Sequence, residues 1–399
     1  MLIFCDSVSH YTTAQIAGKY PHQTFGVPVY PVVVPGAGRF GAQALFFDGT
    51  LGSTLLKTFV PPVPFSTDPP LNSTPISALG SGGETLTLGF AIKAVTLNDF
   101  AILALSTTGG SNRITLLRAG GTFQLAGDVS GVCSSIGLVA GRGVYLELQI
   151  KLNAGSNLSY WELRLNGTTI GSGGGPASVG TTFTALTFGP ALSTATWYLT
   201  DLYVLDGHAT QNTFLGDQHV CVIQPVADGV NLSSSNTPWV TEPPGPVAHY
   251  LQVDQQLSTD GPYTETGLPS GNLDSFRLMH PRAGATQPDG DSFGFTGSTP
   301  WSVTALQWVG RLESTTLATP QIAPVTRRIV GGTIPTDTVA ETPTISLGLP
   351  YASSAFACAA FDQDPTITAA WQFDKTFLQP TTGVTGTVEL GIQKIAGVA

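Results

Sequence analysis

From Thr85 onward apolar and polar residues alternate one for one: Leu86, Leu88, Phe90 and Ile92 fall on one side, with Thr85, Thr87, Gly89 and Lys93 on the other. A repeat of two residues is the period of a strand with one buried face, and a helix cannot present it. The pattern recurs at residues 100–105, 113–117 and 122–125, the last two joined by Gly120-Gly121. Val144, Leu146, Leu148 and Ile150 then oppose Tyr145, Glu147, Gln149 and Lys151, and a hairpin partner follows in which Trp161, Leu163 and Leu165 alternate with Glu162, Arg164 and Asn166. That partner ends at Asn166-Gly167, a pair that matches the twist of two strands because both residues accept left-handed backbone. Short strands separated by glycine-rich turns predict a sandwich of two sheets. No window carries a helical period with caps; the one short candidate is residues 12–19.

A chain of 399 residues exceeds what one core usually organises, so two domains are expected. The expected division is a first sandwich at 1–218, an irregular connecting tract rich in Pro and Gly at 219–272, and a second β-sandwich at 273–399. Strand candidates in the last part are 274–280, 301–312, 345–349, 356–361, 369–373 and 384–395. The run Val60-Pro-Pro-Val-Pro-Phe65, continuing to Pro75, is expected to be a loop, since proline has no amide to give a sheet.

Charged residues make up only 11% of the chain, well below the usual quarter. A surface built from Ser, Thr, Asn, Gln and Gly suits proteins packed into assemblies or facing glycans. The formal net charge is −10, and Arg327-Arg328 is the one adjacent basic pair, so no nucleic-acid partner is expected. The second half carries most of the imbalance: residues 219–399 hold seven basic and fifteen acidic groups, against nine and eleven in 1–218. Cys5, Cys133, Cys221 and Cys358 lie far apart, which predicts free thiols. The amino terminus has no basic segment before its apolar run and no run reaches the length of a membrane span, so neither secretion by a signal segment nor membrane insertion is expected. Synthesis and folding in a cytoplasm are expected.

Two segments carry a family resemblance. The first is Leu2-Ile-Phe-Cys-Asp6 with His10-Tyr-Thr-Thr-Ala14 and Lys19-Tyr20; the second is the strand 197–206, closed by Gly207, with Asn212-Thr-Phe-Leu-Gly-Asp217 after it. Together they resemble structural proteins of tailed bacteriophages, in which a jelly-roll domain of the laminin-G/concanavalin type hands over to a second β-domain. The chain departs from that pattern at Gln211 and Thr213, where Asn and Asp are common, and at His219, where Arg is usual. The resemblance implies an all-β fold, a concanavalin-like jelly-roll sandwich plus a second β-sandwich domain. It also implies a virion component, a tail-associated or capsid-surface fibre or decoration protein, assembled in the bacterial cytoplasm. Its partners would be other virion proteins and copies of itself, with a trimer expected.

Candidate chemistry is sparse. Sandwiches of this type include glycoside hydrolases, which need two carboxyl groups about 5 to 10 Å apart. Glu147 and Glu162 are the only glutamates in the predicted sandwich strands, each with an apolar or amide residue where a second acid would stand, and both are expected to face solvent. No Gly-x-Ser-x-Gly elbow occurs, and the six histidines, His208 and His219 among them, have no evident partner. The chain is therefore expected not to be an enzyme and to hold no cofactor. If a calcium ion were bound, its oxygen ligands would be Asp201, Asp206 and Asp217, or separately Asp289 and Asp291; neither set has the density of a calcium loop, so no metal is expected. Asp217 is expected to cap a turn or accept backbone amides. Trp161 and Trp197 belong to alternating strands and are expected in the core, leaving Tyr198, Tyr203 and Trp239 as glycan contacts if the chain is instead a carbohydrate-binding adhesin touching a host surface.

Overall fold

The computed structural model describes residues 2–220 apart from 9–11, 17–19, 21–28, 40–41, 59–84, 108–112, 135–137, 152–158, 176–182, 192 and 207–212; beyond 220 it describes the backbone of the strands given below. The chain divides into two compact units; among the described residues the first runs to Val220 and the second takes up from Pro225.

The first unit is built from fourteen described strands: β1 (Leu2–Asp6), β2 (Val32–Val34), β3 (Ala44–Asp48), β4 (Leu55–Thr58), β5 (Thr85–Ala94), β6 (Phe100–Thr107), β7 (Arg113–Ala119), β8 (Thr122–Gly127), β9 (Gly131–Val132), β10 (Gly143–Lys151), β11 (Ser159–Leu165), β12 (Thr168–Gly175), β13 (Phe183–Phe188) and β14 (Thr196–Asp206). One sheet has the order β12-β11-β10-β5-β14-β3-β2, and the other β4-β13-β6-β7-β8-β9. Every pairing is antiparallel, and neighbours distant in sequence, such as β5 beside β14, come from connections that cross between the sheets. The fold is a concanavalin-like jelly-roll sandwich. Among the described residues helix is confined to a turn around Thr13–Gln15, and none is long and apolar enough to cross a membrane.

The alternation fixes which side of each strand faces the other sheet. Leu86, Leu88, Phe90 and Ile92 are fully buried, as are Leu146, Leu148 and Ile150. The sheets meet through aromatic rings: Phe90 of β5 packs edge-on against Phe188 of β13 at 5.3 Å, and Trp197 of β14 stacks on Phe47 at 4.1 Å with Phe100 of β6 at 5.8 Å. At about 25 cal/mol per Å² of apolar surface, rings of this size supply much of the stabilisation. The Asn166-Gly167 pair closes the β11–β12 hairpin with φ of 48° and 79°, the left-handed values expected of such a turn.

One expectation fails. The polar sides of β5 and β10 do not face water: Thr87, Gly89, Ala91, Tyr145 and Glu147 are buried along with their apolar neighbours. At Gly89 and Glu147 the reason is the Tyr203 ring and a segment of the chain's own exit, residues 213–220, which lie over them.

The two sequence anchors of the resemblance are neighbours in space. β1 pairs with the second half of β14, Cys5 opposite Tyr203 and Asp6 opposite Leu202, while β3 pairs with the first half. Asp6 accepts a hydrogen bond from the hydroxyl of Tyr20 and another from the Val8 amide.

The second unit is also all β in its described parts. Its five-stranded sheet runs Pro225–Asp228, Leu273–Leu278, Gly386–Ala396, Gln321–Val330, Ile345–Ser346, with the long closing strand between two neighbours. The tract 219–272, expected to be irregular, contributes three strands: Pro225–Asp228, Val240–Glu242 and Tyr263–Glu265. The ten-residue strand Gln321–Val330 had no expectation in the sequence, because Pro324 and Arg327-Arg328 break its alternation.

Candidate functional site

The segment 213–220 crosses the outer face of the larger sheet from β11 to β14, and a row of aligned side chains receives it. Tyr203 of β14 stands opposite Gly89 of β5, Gly89 opposite Glu147 of β10, and Glu147 opposite Arg164 of β11. A Cβ on Gly89 would come within 2.3 Å of Tyr203 Cε1, so the tyrosine ring lies over β5 where only glycine leaves room. The phenol therefore reaches the strand beyond and donates to Glu147 Oε1 at 2.5 Å.

The crossing segment completes this arrangement. Gly216 donates its amide to the same Glu147 oxygen at 2.8 Å, and Leu215 donates to the Tyr203 hydroxyl at 3.2 Å. Phe214 lies beneath the guanidinium of Arg164, 3.9 Å from ring centroid to Cζ. Arg164 is in turn held by Glu162, which accepts from Arg164 Nε at 2.7 Å and from the hydroxyls of Thr169 and Tyr160.

At the far end the fastening is ionic. β14 carries a bulge between Thr200 and Tyr203, and Asp201 sits there with φ of 54°, a left-handed conformation uncommon for a residue with a side chain. The bulge turns a fully buried carboxylate toward the segment. Asp201 Oδ1 accepts the Val220 amide at 2.9 Å and lies 3.1 Å from His219 Nδ1, while Oδ2 is 3.5 Å from an Arg39 terminal nitrogen. Arg39, 4% exposed, donates to both carboxylate oxygens of Asp217 at 2.6 and 3.2 Å and to the Gln218 carbonyl at 2.9 Å. The Tyr145 hydroxyl donates to the Asp201 carbonyl at 3.2 Å, beside the Arg39 guanidinium.

Burial sets the electrostatics. It pushes the phenols of Tyr203 and Tyr145 well above their ordinary range; the negative charge of Glu147 and its hydrogen bond add to the effect at Tyr203, and Tyr203, Asp201 and Glu147 add to it at Tyr145. Both tyrosines are thus held as proton donors. Partial burial raises the Glu162 carboxyl, but the bonds from Thr169, Arg164 and Tyr160 outweigh it and hold that acid below its usual value.

The sequence candidates fall as follows. Asp201 and Asp217 are both brought to one terminal nitrogen of Arg39. Asp206 ends β14, its side chain outside the described residues, as are Asp289, Asp291, His208 and Trp239. Among the described residues no three His, Cys, Asp or Glu side chains gather as metal ligands do. Tyr203 is 2% exposed, covered on the outer face by the crossing segment, whereas Tyr198 is half-buried and tilted against Phe46 at 5.1 Å. Trp161 and Trp197 are in the core. Cys133 is a buried free thiol.

Glu147, expected to be solvated, is completely buried, because the 213–220 segment roofs it over. Arg39 was not singled out in the sequence, and Tyr145 and Gly216 were given no role of their own there. A signal existed: Tyr145 and Glu147 share one strand side with a glycine at the centre of the neighbouring strand, a vacancy on a polar face that something must fill.

No protein-family model matches the chain, and no curated protein does. Solved structures with a similar fold include a heptameric pentraxin from Limulus polyphemus (15% identity over 32% of this chain and 66% of that one, TM-score 0.23), a sialidase (11%, 46% and 16%, 0.29) and the alginate lyase AlgAT5 of polysaccharide lyase family 7 (11%, 49% and 88%, 0.30). The chain thus spans 66% of the pentraxin and 16% of the sialidase. At these values the likeness is one of fold alone. It corrects one expectation nonetheless: two of the three are enzymes, so the reading of this chain as a non-enzyme does not follow from its sandwich.

Proposed function

We propose that the chain is a structural subunit of a tailed-bacteriophage particle, a tail-associated or capsid-surface fibre or decoration protein, joined to copies of itself and to other virion proteins. The observation that supports this reading is how the phage-like motif is used. Its residues Phe214, Leu215, Gly216 and Asp217 all fasten the chain to the sandwich just before the second unit begins. A part mounted on a particle needs the chain to leave one domain from a fixed point, and buried charge-assisted bonds supply one. The low charge of the whole chain fits surfaces that are buried between subunits. Symmetric assembly is the usual way to match a particle, and a trimer is the proposed form. Mass spectrometry of purified particles, together with light scattering of the isolated protein, tests the reading. A chain absent from particles and monomeric at high concentration would end it.

A second reading, an adhesin module that holds a host-surface glycan, is favoured by one feature. Tyr198 and Phe46 form a half-buried aromatic pair on the sheet face, with Lys93 beside Tyr198 across the strands. Rings of this kind stack on sugars. Glycan-array binding that is lost in Tyr198→Ala would establish it, and a silent array would remove it.

A further inference from the structure

Asn166-Gly167 is the only Asn-Gly pair in the chain. Such a pair is chemically reactive, because a glycine nitrogen meets no side chain as it approaches the neighbouring amide carbon. Attack by the Gly167 nitrogen on Asn166 Cγ closes a five-membered succinimide and releases ammonia. Addition of water then opens the ring to aspartate or to isoaspartate, which lengthens the backbone by one carbon.

We propose that Asn166 is a covalent modification site gated by the β11–β12 hairpin, protected while the hairpin is closed and deamidated when it opens. Asn166 is exposed, so water and base reach it freely. Its protection is geometric. The side-chain oxygen accepts the Tyr145 amide at 2.7 Å and the backbone amide of Asn166 donates to the Tyr145 carbonyl at 2.8 Å, so both ends of the residue are tied to β10. Rotating Cγ toward Gly167 breaks the first bond and leaves the part-buried Tyr145 amide without its acceptor. Modification then proceeds at a rate set by the open fraction of the hairpin.

The two products have different consequences. Aspartate keeps an oxygen for the Tyr145 amide, and Asp-Gly closes the same type of turn. Isoaspartate cannot span a two-residue turn, so a chain that has formed it cannot reclose the hairpin in register, and Arg164 and Thr169, which flank the turn, lose their pairing.

The test holds the full chain at mildly alkaline pH, native and in urea, and follows residue 166 by peptide mapping that separates aspartate from isoaspartate. The expected result is modification at least about tenfold slower in the native chain, with isoaspartate molecules unfolding at lower denaturant than unmodified ones. Equal native and unfolded rates would overturn the gating. As a second arm, Asn166→Asp is expected to unfold with the wild-type midpoint; a clear loss of stability in that variant would overturn the assignment of the side-chain oxygen as the clamp.

Discussion

Tyr203 of β14 passes over Gly89 of β5 and donates its phenol proton to Glu147 of β10, 2.5 Å away. Three strands are thereby tied by one side chain on a face that period-two patterning assigns to solvent. The same Glu147 oxygen takes the Gly216 amide, so the row that links the strands also holds the departing chain.

Gly89→Ala places a methyl where the Tyr203 ring lies. The expected cost is about 1–3 kcal/mol in urea unfolding of the first unit. Replacing the ring removes the clash, so Gly89→Ala combined with Tyr203→Leu should cost clearly less than the two single changes added together. Strict additivity would mean that the ring does not occupy this place.

Arg39→Met leaves the fully buried Asp201 and the neighbouring Asp217 without their cation. A loss of about 3–5 kcal/mol is expected, the range for breaking a buried pair from one side. Adding Asp201→Asn should restore part of it, which a thermal melt of the three variants resolves.

The raised phenols give an alkaline limit. Their folded pKa values lie above the unfolded value near 10, so their contribution is complete below that pH and is lost as pH rises through the folded values. Stability should fall above about pH 10, and Tyr203→Phe, less stable at neutral pH, should show a shallower alkaline decline. Phenolate absorbance should report two tyrosines that titrate only as the first unit unfolds.

Glu162 acts in the opposite direction. Its depressed carboxyl stabilises the fold above the unfolded carboxyl value and loses that contribution as pH falls through the folded one. The group is partly exposed, so solvent screens the effect and it is small. Glu162→Gln should flatten the acid limb of the stability profile slightly and leave the neutral region nearly unchanged.

The sandwich was legible because its inner faces obey simple alternation: Leu86 to Ile92 and Val144 to Ile150 are in the core as patterned. The outer face was not, since burial of Tyr145 and Glu147 depends on residues some seventy positions away that no local period encodes. Asp201 stood out as a possible oxygen ligand, yet its orientation comes from a bulge, and an inserted residue leaves no trace in composition. The hairpin at Asn166-Gly167 was readable because its turn chemistry is local. Gln321–Val330 was hidden for the reverse reason, a strand whose pairing tolerates a proline that local reading takes as a break.

Hydrogen exchange at the amides of Leu215, Gly216 and Val220 tests the central claim that residues 213–220 are fastened to the sheet. Protection close to that of β14 is predicted, with Tyr203→Phe releasing Leu215 and Gly216 ahead of Val220. Exchange at the rate of an open chain in the wild-type protein would contradict it.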